Sequence, residues 1–176
     1  DKVAGEMLVL TSFLSIMDPR ERPTEKQQAA DQAHRQWHDD RSDFMVIINL
    51  WNFIQRELSG GFSINRLRRL CTKNFLNFRR VREWLNLFDD LSEAAEEMGV
   101  KPNLPPNRVF DSVSYEMMHR AIIAGIPTHI AKRDPEENIY RGCKERKFHI
   151  FPGSSLFKKT PEWILSFELV ETSRLY

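Results

Sequence analysis

The chain has 176 residues, about the length of one ordinary domain, with 41% hydrophobic residues, 29% charged residues and a formal net charge of +1. This apolar content excludes a largely disordered chain. The longest uncharged apolar run, residues 44–54, is much shorter than the roughly 20 residues that span a bilayer, so no membrane partner is expected. Cys71 and Cys143 lack C-x-x-C spacing, which argues against a zinc finger and favours a reducing, cytoplasmic location. The start at Asp1 predicts an excised segment.

Two strongly apolar helices are predicted in the N-terminal third of the chain. Residues 5–17 are apolar at most positions, which is typical of a largely buried helix. Residues 44–58 begin with eleven uncharged residues and should form the central core helix, capped by Ser42 or Asp43.

Further helices are predicted from capping residues and apolar periodicity. A mostly exposed helix should open after Pro23, where Thr24 and Gln27 have capping-box spacing. Residues 63–73 and 77–98 place apolar side chains at three- and four-residue steps, which indicates two amphipathic helices.

The pattern changes from helical to strand-like near the C-terminus. Ser112 can cap a sixth helix, which Gly125 and Pro127 should break. Beyond residue 134, β-branched and aromatic residues predict strands over residues 139–141, 147–151 and 163–172. The predicted class is mainly α with a small β part, a helical bundle followed by a truncated antiparallel β segment.

The neutral total charge hides two basic blocks. Residues 1–61 sum to −3, residues 62–82 carry seven positive and no negative side chains, residues 83–137 sum to −6, and residues 138–176 sum to +3. Basic residues interleaved with aromatic ones are typical of nucleic-acid binding, because Lys and Arg displace the counterions of phosphates. From charge counts alone, pairing of the basic run with acidic segments of the same chain is the favoured explanation. The run consists of Arg66, Arg68, Arg69, Lys73, Arg79, Arg80 and Arg82.

Catalytic and metal sites find little support in the sequence. There is no phosphate-binding G-x-x-x-x-G-K-[ST] motif, no G-x-G-x-x-G motif and no acidic D-E-x-x motif, so no nucleotide site or catalytic residue is predicted. His34 and His38 stand four residues apart, but the Glu of an H-E-x-x-H motif is missing, so no metal site is predicted. Ser154 and Ser155 lack a G-x-S-x-G frame.

Long strings of the chain resemble the helicase-associated region of DEAH-box RNA helicases of the bacterial HrpA type. They are LSIMDPRERP, KQQAADQAHRQWHDDRSDFMVIINLWNF, RRLCTKNFLNFRRVREW and FHIFPGSSLFKKTPEWILSFELVETSRLY. The resemblance implies the end of a winged-helix region over 1–22, a ratchet-like bundle over 23–134 and the N-terminal part of an OB-fold over 135–176.

The resemblance also implies a role. The parent would be an ATP-dependent RNA helicase, with ATP and Mg²⁺ bound by RecA-like motor domains elsewhere, and this segment would line the channel for single-stranded RNA without holding a cofactor. From the family's OB-fold, FPGSSLFKK and ETSR would meet RNA through Ser154, Lys158, Lys159, Thr172 and Arg174. Added attraction is expected from Arg141, Lys144, Arg146 and Lys147. In the first basic run the expected contacts are Arg66, Arg69, Lys73, Arg79, Arg80 and Arg82.

A second hypothesis makes the segment a protein-docking module through which regulatory proteins reach the helicase. A third makes the basic run a purely structural partner of the acidic segment. The effects of charge reversal on RNA affinity, on protein capture and on melting temperature separate the three.

Overall fold

The predicted class is confirmed by a computed structural model, which describes residues 2–102 and 111–168. Helices occupy the N-terminal part, and a small antiparallel sheet follows them. The helices are α1 (Ala4–Leu14), α2 (Gln27–His34), α3 (Asp43–Leu58), α4 (Ile64–Lys73), α5 (Phe78–Glu97) and α6 (Ser112–Gly125). The strands are β1 (Ile130–Asp134), β2 (Ile139–Arg141), β3 (Lys147–Phe148) and β4 (Trp163–Leu165). Within residues 2–102 and 111–168, no helix combines the length and apolar character that a membrane span requires.

Helix α3 is the central core helix, as predicted. Its Leu50 and Ile54 are almost completely buried, and the side chains of α1, α4, α5 and α6 pack around it in one hydrophobic cluster. Trp84 of α5 lies in the same cluster, with its ring centre 5.1 Å from that of Trp51. Apolar burial of this extent is the main source of stability for a domain of this size.

Helix capping differs from the sequence prediction at three places. Thr24 lies inside a 3₁₀ turn and forms no capping bond, so the predicted capping box is wrong, although α2 is mostly exposed as expected. Asp111 rather than Ser112 caps α6, since its carboxylate accepts from the Ser114 N–H at 2.7 Å. Ser42 precedes α3, but its hydroxyl contacts His119 instead of the helix. The imidazole of His119, which is distant in the chain, thus binds the Ser42 hydroxyl in place of the N–H groups at the start of α3.

The turn between α4 and α5 is held by the segment that follows α1. Helix α1 ends at Leu14, before the predicted residue 17, and the chain then runs beside this turn. The Asn77 N–H donates to the Pro19 carbonyl at 2.7 Å, and the Glu21 N–H donates to the Phe75 carbonyl at 2.8 Å. The Asn77 side chain also caps α5. These bonds fix where the basic run turns from one helix into the next.

The sheet has strand order β3-β2-β1-β4, with every pair antiparallel. Strand β1 was not predicted, and its residues lie inside the range 23–134 that was predicted to be helical bundle. Helix α6 ends at Gly125 before Pro127, as predicted, and a 3₁₀ turn leads into β1. Strand β3 ends at Phe148, earlier than predicted, because residues 151–160 leave the sheet and contact α3. The predicted strand residues 169–172 lie outside the described residues.

His119 of α6 makes stability depend on pH. Its Nδ1–H donates to the Tyr115 carbonyl at 2.8 Å, and its Nε2 accepts from the Ser42 hydroxyl at 2.7 Å, an arrangement that suits the neutral ring. Burial lowers the pKa of His119, and this effect outweighs the hydrogen bond to the Tyr115 carbonyl and the charge of Asp39, which both raise it; Arg41 lowers it to a smaller extent. At His119, the folded protein therefore binds fewer protons than the unfolded chain does.

We expect the free energy of unfolding to fall as pH is lowered through about 6.5, where an unfolded histidine takes up its proton. Urea midpoints measured at about pH 7.5 and about pH 5.5, above the range of ordinary carboxylates, test this. Between these two pH values, the His119→Gln variant should lose less of its free energy of unfolding than the wild type. Some loss should persist, because burial also lowers the pKa of His34. An unchanged pH dependence in the variant would contradict the assignment.

Candidate nucleic-acid interface

The first basic run occupies α4, the following turn and the first turns of α5. In the part of the chain that the structure describes, none of its seven cations forms an ion pair with a carboxylate. Arginines elsewhere do, for example Arg22 with Asp31 at 2.7 Å. Five of the seven are exposed and two, Arg66 and Arg80, are half-buried. These cations are therefore not engaged in ion pairs within the described residues, although Glu57, Glu83 and Asp90 line the same surface. The five exposed cations are Arg68, Arg69, Lys73, Arg79 and Arg82.

Three cations of α4 line a shallow cleft between α4 and α3. Arg66, Arg69 and Lys73 follow one another at helical steps of three and four residues, which places them along one side of α4. The wall of this cleft includes Phe53 of α3 and the Asn74 amide. We call it the α4 cleft. Cations beside an aromatic side chain can contact both phosphates and bases of a single strand.

A second cleft collects three of the other four cations of the run. Arg68, Arg79 and Arg82 line it together with Ser15 and Ile16, which follow α1. The Arg68 guanidinium lies 5.0 Å from the centre of the Phe78 ring, within cation–π range. We call it the α5 cleft. The structure thus places six of the seven cations of the run in two clefts, three in each.

Arg80 has a different environment from its neighbours. One of its guanidinium N–H groups donates to the Asp18 carbonyl at 2.9 Å, so the side chain helps to join α5 to the segment after α1. RNA contact by Arg80 remains a prediction, with fewer donors available than at Arg79 or Arg82.

The second basic block is partly neutralised by carboxylates. Arg141 lies 2.8 Å from Asp134 and 2.9 Å from Glu137, and Lys147 lies 2.7 Å from Glu137. The hydrogen bond from Arg141 lowers the pKa of Asp134, and the hydrogen bond from Lys147 lowers that of Glu137. Two of the four cations that were predicted to attract RNA here therefore have intramolecular partners.

The other two cations of this block are more accessible. Lys144 and Arg146 are exposed and line a cleft of about 460 Å³ beside Phe148. Lys158 is exposed as well, and no ion pair to it occurs within residues 2–102 and 111–168. Thr172 and Arg174 lie outside the described residues.

Ser154 and Lys159, both predicted to contact RNA, contact the helical bundle in this structure, and their RNA contact stays a prediction. The Ser154 hydroxyl donates to Asp43 Oδ2 at 2.6 Å, and Lys159 Nζ lies 3.3 Å from Asp40 Oδ1. Lys159 also donates to the Asp40 carbonyl. Sequence reasoning did not find these contacts, because the partners are more than 110 residues apart in the chain.

The two histidines considered for a metal site each contact other groups of the protein. His34 Nε2 lies 3.2 Å from both the Asn74 and the Phe75 carbonyls, and His38 Nε2 lies 3.0 Å from Asp40. Over residues 2–102 and 111–168, no group of three or more potential ligands has a metal-binding arrangement.

Comparison with known proteins identifies the class. The family described as the oligonucleotide/oligosaccharide-binding (OB)-fold matches residues 118–176, which contain the sheet and the two accessible cations Lys144 and Arg146. The chain thus carries an OB-fold domain behind a helical bundle.

Its relatives are ATP-dependent RNA helicases. The chain is 44% identical over 171 residues to the ATP-dependent RNA helicase HrpA of Escherichia coli, and 43% identical over 171 residues to the HrpA homolog of Haemophilus influenzae. Each match covers 97% of this chain and 13% of the relative. A pre-mRNA-splicing factor ATP-dependent RNA helicase of Schizosaccharomyces pombe is 27% identical, over 97% of this chain and 14% of its own length. The resemblance to the helicase-associated region of HrpA-type DEAH-box RNA helicases is confirmed.

Proposed function

We propose that this chain is the accessory segment of an ATP-dependent RNA helicase and contacts single-stranded RNA as part of the wall of the RNA channel. One observation carries the proposal: the seven cations of residues 62–82 have no carboxylate partner in the described part of the chain. Relatives that are named RNA helicases and the OB-fold match support it.

The chemistry of the two clefts suits a phosphate backbone. Guanidinium and ammonium groups replace condensed counterions, which gives affinity without sequence selectivity. Phe53 and Phe78 lie beside these cations and offer apolar surface to bases. Contact with phosphates does not require side chains that recognise particular bases. It therefore fits a protein that moves along a strand.

The chemical step would take place outside this segment. The sequence has no nucleotide-binding motif, so ATP and Mg²⁺ would be held by RecA-like motor domains of the same parent protein. The segment itself would hydrolyse no ATP. It would hold the strand while the motor domains move, and a cytoplasmic location is proposed with this role.

The proposal is tested by the affinity of the chain for fluorescent single-stranded oligo-uridine over a range of salt concentrations. We expect log K to fall linearly with log salt, with a slope of about −0.7 for each phosphate contact and at least about three contacts. The absence of binding at low salt would refute RNA contact by this segment.

A protein-docking function has one specific observation in its favour. Phe62, just before α4, and Ile64, its first residue, are 62% and 43% exposed next to the basic run. An acidic regulatory protein with an apolar anchor could use both features. Charge reversal of Arg66 and Arg69 would then abolish capture of this partner and leave RNA affinity unchanged.

A further inference from the structure

The loop between β3 and β4 is fastened to the start of the central helix. The Ser154 hydroxyl and the Ser155 N–H donate to the two oxygens of Asp43, at 2.6 and 2.8 Å. Lys159 bridges to Asp40, whose carboxylate also accepts from His38 at 3.0 Å. We call this set of contacts the clasp. It joins the OB-fold part of the chain to the helical bundle.

The clasp consists of charge-assisted contacts at the surface. Hydrogen bonds from His38 and Lys159 lower the pKa of Asp40, so its carboxylate is ionised at neutral pH. Lys159 and Asp40 are both exposed, with 46% and 76% of their side-chain surface accessible. Exposed ion pairs contribute little net stability and are weakened by salt. The contacts are therefore specific in geometry, but they can open at a small cost in free energy.

The same contacts occupy three donor groups that suit RNA phosphate. A serine hydroxyl, a backbone N–H and a lysine ammonium are typical phosphate donors. In the clasp all three are directed at carboxylate groups of Asp43 and Asp40, which are the nearest chemical equivalents of a phosphate within the protein. An RNA phosphate and the two aspartates would compete for the same donors.

We infer that the clasp is an autoinhibitory contact, in which Asp40 and Asp43 hold Ser154, Ser155 and Lys159 away from RNA until the loop opens. This inference rests on the proposed RNA contact. The observed affinity is then the intrinsic affinity multiplied by the open fraction. If about one molecule in ten is open, complete opening strengthens binding about tenfold.

The test compares Asp40→Ala/Asp43→Ala with the wild-type chain. The matched control is Glu96→Ala/Glu97→Ala, which removes the same charge from exposed positions at the end of α5. Two quantities are measured: hydrogen exchange at the Ser155 amide and affinity for single-stranded oligo-uridine. Melting curves verify that each variant is folded, and the single variant Asp40→Ala leaves the first turn of α3 intact.

We expect faster exchange at Ser155 and about five- to tenfold tighter RNA binding than in the control. Asp40→Ala alone should give a smaller gain. Adding Ser154→Ala and Lys159→Gln to the Asp40→Ala/Asp43→Ala variant should remove the gain in RNA affinity. Faster exchange with the affinity of the control would overturn the inference and leave RNA contact by the basic run intact. Unchanged exchange would also overturn it, and a failure of every variant to bind RNA would overturn both proposals.

Discussion

Replacing Arg79 and Arg82 by glutamine is expected to weaken binding of single-stranded RNA about 25-fold at about 0.1 M salt. Both residues line the α5 cleft, and neither forms an ion pair within the described residues. If each guanidinium contacts one phosphate, the variant loses two contacts, and the slope of log K against log salt becomes shallower by about 1.4. At about 0.1 M salt, this change in counterion release alone corresponds to the roughly 25-fold loss of affinity. The measurement is a salt titration of fluorescent oligo-uridine binding with both proteins.

The matched control is Arg22→Gln/Arg120→Gln. These arginines carry the same charge but are paired with Asp31 and Glu116. Their loss changes the net charge equally and should leave the slope almost unchanged. Melting temperatures of both variants should stay close to that of the wild type, because surface substitutions outside special features change stability by at most about 0.5 kcal/mol. An equal loss of affinity in both variants would show that only net charge matters.

A large drop in the melting temperature of the Arg79 and Arg82 variant would instead favour the structural explanation of the basic run. The structure argues against that explanation for residues 2–102 and 111–168, because no carboxylate there lies within ion-pair distance of the run. Arg80 is left out of the variant because its bond to the Asp18 carbonyl would mix a structural effect with an RNA effect.

The second large effect is expected at Trp84, where alanine should lower the free energy of unfolding by about 3–5 kcal/mol. The side chain is completely buried, and its ring meets Phe13 and Trp51 at centre distances of 4.9 and 5.1 Å. Its indole N–H is shared between the Val9 carbonyl at 3.2 Å and the Ser12 hydroxyl at 3.1 Å. Removal of the ring leaves a cavity between three helices. Urea denaturation measures the loss.

Two further substitutions separate packing from hydrogen bonding at this position. Trp84→Phe keeps an aromatic ring but removes the N–H, and should cost about 1–3 kcal/mol through loss of the indole hydrogen bond and partial loss of packing. Trp163→Ala is the control, because Trp163 is 56% exposed and its ring lies 5.2 Å from the Lys132 ammonium at the surface. It should cost about 1 kcal/mol or less. Similar losses for Trp84→Ala and Trp163→Ala would contradict the assignment of Trp84 to the core.

The helices of the bundle were predicted closely where burial is periodic. Residues 44–58, 63–73 and 77–98 correspond to α3, α4 and α5 with shifts of one residue at most at each end. Pattern and packing agree through α3, α4 and the first half of α5, where periodic apolar positions are buried, but Met98 at the end of the predicted range is 82% exposed.

Predictions failed where a short polar residue had two available partners. The hydroxyl of Ser42 and the carboxylate of Asp43 were both candidates for capping α3, but the first contacts His119 and the second accepts from Ser154 and Ser155. Strand β1 was missed because the run Ile130 to Asp134 has little apolar alternation. Its pairing depends on two partners, β2 and β4, that come later in the chain.

The sequence by itself determined the mainly helical class, the central position of α3, the concentration of seven cations within residues 62–82 and the resemblance to RNA helicases. These properties depend on composition, local periodicity and long shared strings, all of which are local in the chain. Only the tertiary structure decided which cations are accessible. Arg79 and Arg82 line an open cleft, whereas Arg141 is paired with acidic neighbours and Lys159 is held by Asp40. The physical reason is that a charge is neutralised by whichever partner the fold brings within a few ångströms, and that distance is set by long-range packing.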